Sequence, residues 1–234
     1  EALLWFAEAA KLAKPGSHEE RACRIRHLTW RECTPNLVNF FGHSRQRLEC
    51  LDFDPTGKFL ATLTRGGQSR IWEATTVAAP IRLQEGVVGQ AWHPDRTVLA
   101  MALENQQLQI VEISDGTILQ EFDFDGPIQS IAYDHAGSRI AVGGRSLRLW
   151  NMQAGEFEEP SYRQNAAVVS VKFSADDSKI LALYDDDRVR LFDTTSESVT
   201  PLIPPIPHTA TGFPDRPILE PIFVDHDRGI LTKS

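Results

Sequence analysis

An all-β repeat fold behind a short α-helical hairpin is predicted for this 234-residue chain by three observations. A basic–apolar–aromatic phrase recurs as "SRIWEATT" (69–76), "SLRLWNMQ" (146–153) and "RVRLFDTT" (188–195). Longer segments align around it at a spacing close to forty residues, the mark of a repeat architecture. The hydrophobic period also changes, from three or four residues before Pro35 to alternation from Asn36 onward.

Residues 1–35 read as the hairpin. "EALLWFAEAAKLAK" carries Leu3, Leu4, Phe6, Ala7, Ala10 and Ala13 at helical spacing and stops at Pro15-Gly16. Ser17 can cap a second helix, with Glu19 and Glu20 in the first turn where the helix dipole favours anions. That helix shows Ala22, Ile25, Leu28 and Trp30 among four arginines and ends before Pro35. "FAEAAKLAKPGSHEERA" resembles part of a tetratricopeptide repeat, and the plainer reading is a hairpin that bridges domains or packs on the next one.

From 36 to 234 the repeat takes over. Four units begin at "LDFDPTGKF" (51), "AWHPDRTVL" (91), "IAYDHAGSRI" (131) and "VKFSADDSKI" (171). Their marker aromatics Phe53, Trp92, Tyr133 and Phe173 lie 39, 41 and 40 residues apart. In each unit a first strand ends at the marker, and an Asp/Pro/Gly-rich turn follows as hairpins require. A continuously apolar strand comes next ("FLATL", "VLAMA", "RIAVG", "ILALY"), then a second turn and the phrase itself as third strand. A polar stretch such as "TILQEFDF" (117–124) supplies a fourth. Four-stranded sheets repeated every ~40 residues are the pattern of a β-propeller.

These units resemble WD40 repeats, with "RIWE", "RLWN" and "RLFD" as degenerate Trp-Asp endings and Gly42-His43 as the Gly-His before the first strand. The resemblance covers about 36–234 and implies a WD40-type β-propeller. It also implies a hydrogen-bond network of His, Ser/Thr, Asp and Trp within each blade. Carried over, these roles fall on His43, Thr62 and Trp72 in the first blade, where Gly66 replaces the acid. Asn105 takes the acid's place in the second, whose Trp position is Val111. Trp150 stands in the third beside the short acid-free turn "GGRS", and Asp186 in the fourth beside Phe192, which cannot donate. No blade holds the whole set, so packing between sheets is expected to carry the fold, and the aromatics read as structural rather than ligand-binding.

Four full units and the start of a fifth, "PIFVDHDRGILTKS" (221–234), are present. "NLVNFF" (36–41) reads as an outer strand that, on the family pattern, completes a final blade. The expectation is that the polypeptide continues past Ser234 for at least two further blades. Residues 201–221 hold seven of the fourteen prolines and read as a stiff loop rather than a strand.

No catalytic motif is present: no nucleophile elbow, metalloprotease His pair, phosphate loop or kinase motif. No metal or other cofactor is expected. His93, His135 and His226 recur in first turns, which should lie well apart on different blades. "YDDDRV" from Tyr184 lacks calcium-loop spacing. A net charge of −8 argues against nucleic acid, and no apolar run is long enough to insert in a membrane. Three cysteines without a C-x-x-C pair favour a reducing, cytoplasmic setting for this segment.

Partner contacts are expected from the second turns, which carry Arg65, Glu104, Asn105, Arg145, Asp185 and Asp186. The leading reading is a non-catalytic scaffold for protein or peptide partners. "ALLWFAEAAKL", then "RHLTWRECTPNLV", then a blade also resembles the C-terminal region of bacterial multidomain serine/threonine kinases, some of which carry a membrane span. The alternative is the propeller portion of an enzyme, such as a peptidase, with its catalytic residues outside this chain.

Overall fold

The structure, a computed structural model, describes residues 2–33, 41, 46–76, 79–163, 165–195, 206–207, 222–224 and 229–231. The chain divides into two compact units, Glu1–Phe40 and Phe41–Ser234.

In the first unit α1 spans Ala2–Leu12 and α2 spans His18–Cys33. Gly16 turns the chain at φ 78°, and Ser17 Oγ accepts the Glu20 N–H at 3.2 Å, a side-chain cap on an otherwise unpaired donor. The Glu20 carboxylate reaches back to the Gly16 N–H at 2.6 Å. The Glu19 and Glu20 carboxyls both titrate below their ordinary range, chiefly because each accepts a backbone N–H. No described residue of the two helices is fully buried.

The second unit is four four-stranded antiparallel sheets and a further hairpin. Blade 1 comprises β1 (Leu48–Phe53), β2 (Phe59–Thr64), β3 (Ser69–Glu73) and β4 (Arg82–Gln84). Blade 2 comprises β5 (Val87–Trp92), β6 (Val98–Leu103), β7 (Gln107–Glu112) and β8 (Ile118–Asp123). Blade 3 comprises β9 (Ser130–Tyr133), β10 (Arg139–Gly143), β11 (Ser146–Asn151) and β12 (Glu156–Arg163). Blade 4 comprises β13 (Val168–Phe173), β14 (Lys179–Tyr184), β15 (Arg188–Asp193) and β16 (Ile206–Pro207). The hairpin pairs β17 (Ile222–Val224) with β18 (Gly229–Leu231).

One expectation is corrected at β16. The proline-rich stretch is not wholly a loop, because Ile206 and Pro207 pair with Val189 and Arg188 as the fourth strand of blade 4. Proline is tolerated there because an edge strand needs no donor on its outer side.

The second strands are buried, and those of blades 2 to 4 lie between two neighbouring sheets. Strand alternation then divides each blade into two apolar faces. Phe59, Ala61, Leu63 and Ile71 of blade 1 meet Leu99, Met101, Leu103 and Val111 of blade 2. The opposite face of blade 2, with Val98, Ala100, Leu108 and Ile110, meets Ile140, Val142 and Trp150 of blade 3. Ala141, Leu147 and Leu149 meet Ile180, Ala182, Tyr184 and Phe192 of blade 4. Leu181, Leu183 and Val189 of blade 4 then meet Phe223 and Ile230 of the hairpin. Each fully buried leucine here contributes about 1.5–3 kcal/mol relative to exposure.

Blade 1 is different on the face that carries Trp72. Register places Leu51 and Phe53 opposite Thr62 and Leu60, and Leu83 opposite Arg70, so all share that face. Leu51, Phe53 and Leu83 are 59%, 49% and 52% exposed, whereas Phe173, the marker of blade 4, is 7% exposed.

Candidate functional site

The a–b turns, joining first and second strands, are held by short acceptors that the sequence reading passed over. Asp54 Oδ1 accepts the Phe59 N–H at 2.7 Å, and Asp134 Oδ1 accepts the Ser138 and Arg139 N–H groups at 2.7 and 3.0 Å. Ser174 Oγ does the same for Lys179 at 2.9 Å in blade 4. The signal was legible, since each acceptor directly follows a marker aromatic.

First turns on adjacent blades touch, in each case a histidine meeting a residue other than histidine in the next blade. The His93 ring occupies the space a Cβ at Gly137 would need and packs on Tyr133 at 5.2 Å between centroids. His135 Nδ1 meets Asp177 Oδ1 at 2.8 Å, and that carboxylate also accepts the His135 and Ala136 N–H groups at 2.8 and 3.0 Å. His226 lies outside the described residues. Among the described residues no His/Cys/Asp/Glu cluster is arranged for a metal ion, and no helix is long and apolar enough to cross a membrane.

His93 gives the fold a pH dependence. Its Nδ1 accepts the Asp95 N–H at 3.1 Å, so protonation there removes an acceptor from a buried ring. Burial first, and then the Arg96 charge, hold its pKa below the ordinary 6.5. The unfolded chain therefore binds this proton more readily. Its contribution is complete above pH 6.5 and is lost as pH falls from there towards the folded pKa. Denaturant midpoints at pH 7.5 and 5.5 should show a drop in the wild type that is smaller in His93→Gln. Equal drops in both proteins would rule this out.

The blade networks differ one from another. In blade 1 Trp72 Nε1 donates to Thr62 Oγ1 at 2.9 Å, and the Thr62 hydroxyl donates to the Arg70 carbonyl at 3.2 Å. Phe41 packs on the indole with centroids 5.3 Å apart. Gly42, His43 and residues 36–40 lie outside the described residues. In blade 2 Asn105 is exposed and turns inward on its own loop, accepting the Gln107 N–H at 3.2 Å and donating to Gln107 Oε1 at 2.6 Å.

In blade 3 the residue matching Thr62 is Val142, which has no acceptor. Trp150 Nε1 therefore donates at 3.0 Å to Gln120 of blade 2, so its bond runs between blades rather than within one. Phe122 stacks on the indole with centroids 3.6 Å apart at 12°, and Phe157 closes edge-on at 5.0 Å. Arg148 lies 3.9 Å over the Phe157 ring. The short turn "GGRS" is possible because Gly144 approaches Pro127 so closely that a Cβ would overlap the Pro127 carbonyl oxygen.

In blade 4 Phe192 is fully buried and Asp186 turns to a different donor. Its carboxylate grips the Arg190 guanidinium at 2.9 and 2.5 Å, a bidentate pair, and accepts the Arg188 N–H at 3.2 Å. Arg190 is 6% exposed and lies 4.2 Å over the Tyr184 ring. The Arg190 hydrogen bond comes first among the causes that lower the Asp186 pKa. Burial pushes the Tyr184 hydroxyl pKa up.

The six expected partner contacts are all exposed on the b–c turns, which join second and third strands along one edge of the packed sheets. They fall into two groups. Asp185 accepts the Ala167 N–H at 2.9 Å, and Asp186 and Asn105 are engaged as described. Arg65, Glu104 and Arg145 make no side-chain hydrogen bond or ion pair among the described residues. Glu104 leans over the Gly67 turn of blade 1 and Arg145 over Gly126, so each lies across a blade junction.

This construction, with antiparallel four-stranded sheets packed face to face and third-strand aromatics Trp72, Trp150 and Phe192 buried in blades 1, 3 and 4, is that of WD40-type repeats. The WD domain, G-beta repeat model matches residues 34–73, and the anaphase-promoting complex subunit 4 WD40 domain model matches 68–136. The chain is 25% identical to COMPASS component SWD3 of Saccharomyces cerevisiae over 62% of this chain and 48% of that protein. It is 26% identical to WD repeat and HMG-box DNA-binding protein 1 of Xenopus laevis over 70% of this chain and 15% of that protein. It is 28% identical to pre-mRNA-processing factor 19 of Oryza sativa over 62% of this chain and 30% of that protein. The chain thus spans about half or less of the length of each of these relatives.

Proposed function

We propose that this chain is a non-catalytic protein-interaction scaffold that presents its b–c edge to protein or peptide partners. The observation that carries this reading is the uncommitted trio Arg65, Glu104 and Arg145, charged, exposed and aligned across successive blades. Fixed charges on a rigid edge select partners by complementarity more than by area. The relatives are named as components of complexes or as WD-repeat proteins, which supports the same class of role. Reversing the three charges together (Arg65→Glu, Glu104→Lys, Arg145→Glu) should remove the partners captured from the source cell, with thermal stability unchanged. Reversing Lys58 and Arg96, which lie in a–b turns, should leave them bound. Loss of the same partners in both variants, or in neither, would sink the reading.

The exposed Trp72 face of blade 1 supports a second part of the proposal, that the polypeptide supplies further blades. Phe41 packs on Trp72 with centroids 5.3 Å apart, on the face where Leu51, Phe53 and Leu83 stand exposed, which supports a further sheet covering that face. An open reading frame stopping directly after Ser234 would overturn it. The finer reading, docking region of a bacterial serine/threonine kinase, rests on the order of hairpin and blades alone, and a kinase domain encoded upstream of Glu1 is its test.

A further inference from the structure

Among the described residues each blade ends in an outer strand whose far edge pairs with no further strand. Three of these four edges are blunted by short length or by proline. β4 is three residues long, β12 contains Pro160, and β16 is two residues ending in Pro207. β8 is six residues long and free of proline. Phe124 donates its N–H to the Gln106 carbonyl at 2.8 Å, so antiparallel alternation turns the N–H and C=O groups of Asp123 and Glu121 away from β7.

The side chains along this edge are exposed too. Ile118 and Leu119 are 46% and 42% exposed, and Glu121 and Asp123 stand in solvent beyond them. Among the described residues Glu121 is met by Gln109 Nε2 at 3.5 Å, and Asp123 makes no side-chain hydrogen bond or ion pair. The surrounding charge is one-sided. Residues 97–138 hold seven carboxylates and no Lys or Arg, in a chain whose net charge is −8. Arg82 of blade 1 reaches this blade, where the Gly116 carbonyl accepts from it at 3.2 Å. A second copy of β8 laid on the edge would set carboxylate against carboxylate, which destabilises a strand pair. A cationic strand meets no such penalty.

We propose that the edge of β8 takes an extended basic segment of a partner protein as a fifth strand of blade 2. Running antiparallel to β8, the segment places Lys or Arg opposite Asp123 and Glu121 and an apolar residue against Ile118 and Leu119. Backbone hydrogen bonds supply the affinity, and the alternate side chains select the partner. The surface lies on the outer strand, so it is independent of the charged trio on the b–c edge.

The test uses the full chain and fluorescein-labelled peptides centred on Lys-Thr-Lys-Thr-Val, titrated by anisotropy at low and physiological salt. This peptide should bind, more weakly as salt rises, and its Glu-Thr-Glu-Thr-Val counterpart should not. N-methylation of the two lysine amides removes donors that face β8 and should abolish binding. N-methylation of the two threonine amides, which face solvent, should leave it. Glu121→Lys combined with Asp123→Lys should weaken binding about tenfold, with thermal stability unchanged. Reversing Arg65, Glu104 and Arg145 should leave it intact. No binding of the basic peptide, binding of the acidic one, or full binding by the Glu121→Lys, Asp123→Lys variant would each overturn the proposal. So would equal binding of the two methylated peptides, which would show attachment by charge without a strand.

Discussion

Replacing Trp150 with alanine is expected to destabilise the propeller by about 3–5 kcal/mol, the range for truncating a buried aromatic. The indole is sandwiched against Phe122 and Phe157, and its N–H satisfies Gln120 across the boundary between blades 2 and 3. Alanine leaves both a cavity and an unpaired amide oxygen. Trp150→Phe keeps one aromatic ring in the stack and loses the hydrogen bond and part of the indole's volume, so it should cost less, about 1–2 kcal/mol. Urea unfolding with a shared m-value separates the two. If alanine and phenylalanine cost the same, the stack is not what holds the blades, and the hydrogen bond is.

Asp186→Ala should cost about 2–4 kcal/mol, far more than an ordinary surface substitution. The loss is large because Arg190, 6% exposed, would keep its charge with no partner. It falls short of the deepest buried pairs because the Asp186 side chain is 32% exposed, and water can enter in its place. Asp186→Ala combined with Arg190→Leu should recover much of the loss, since an apolar side chain in that interface needs no counter-charge. A double variant as unstable as the single one would show that Asp186 acts through the turn backbone at Arg188 instead.

Much of the fold was legible because its signals are local. The marker aromatics, the Asp- and Gly-rich turns and the apolar second strands each lie within about ten residues of one another, and they set the first three strands of each blade; a fourth was placed only in blade 2. The fourth strand of blade 4 was not legible, because Ile206-Pro207 pairs through an edge where proline carries no penalty. The site was harder. Trp150 and Asp186 stand at the strand and turn positions read from the sequence, but their partners Gln120 and Arg190 follow from what the sequence lacks. Phe192 has no N–H to offer and Val142 has no oxygen, and each absence redirects the polar group beside it. Which of six exposed turn residues remain uncommitted depends on backbone donors such as the Ala167 N–H, which no side-chain pattern records.

The contacts between first turns run one way along the chain. The His93 ring is closed in by Gly137, and the His135 backbone and ring are held by Asp177, which is made 42 residues later. At these two junctions a first turn made early in the chain is sealed only when the following blade has formed beside it.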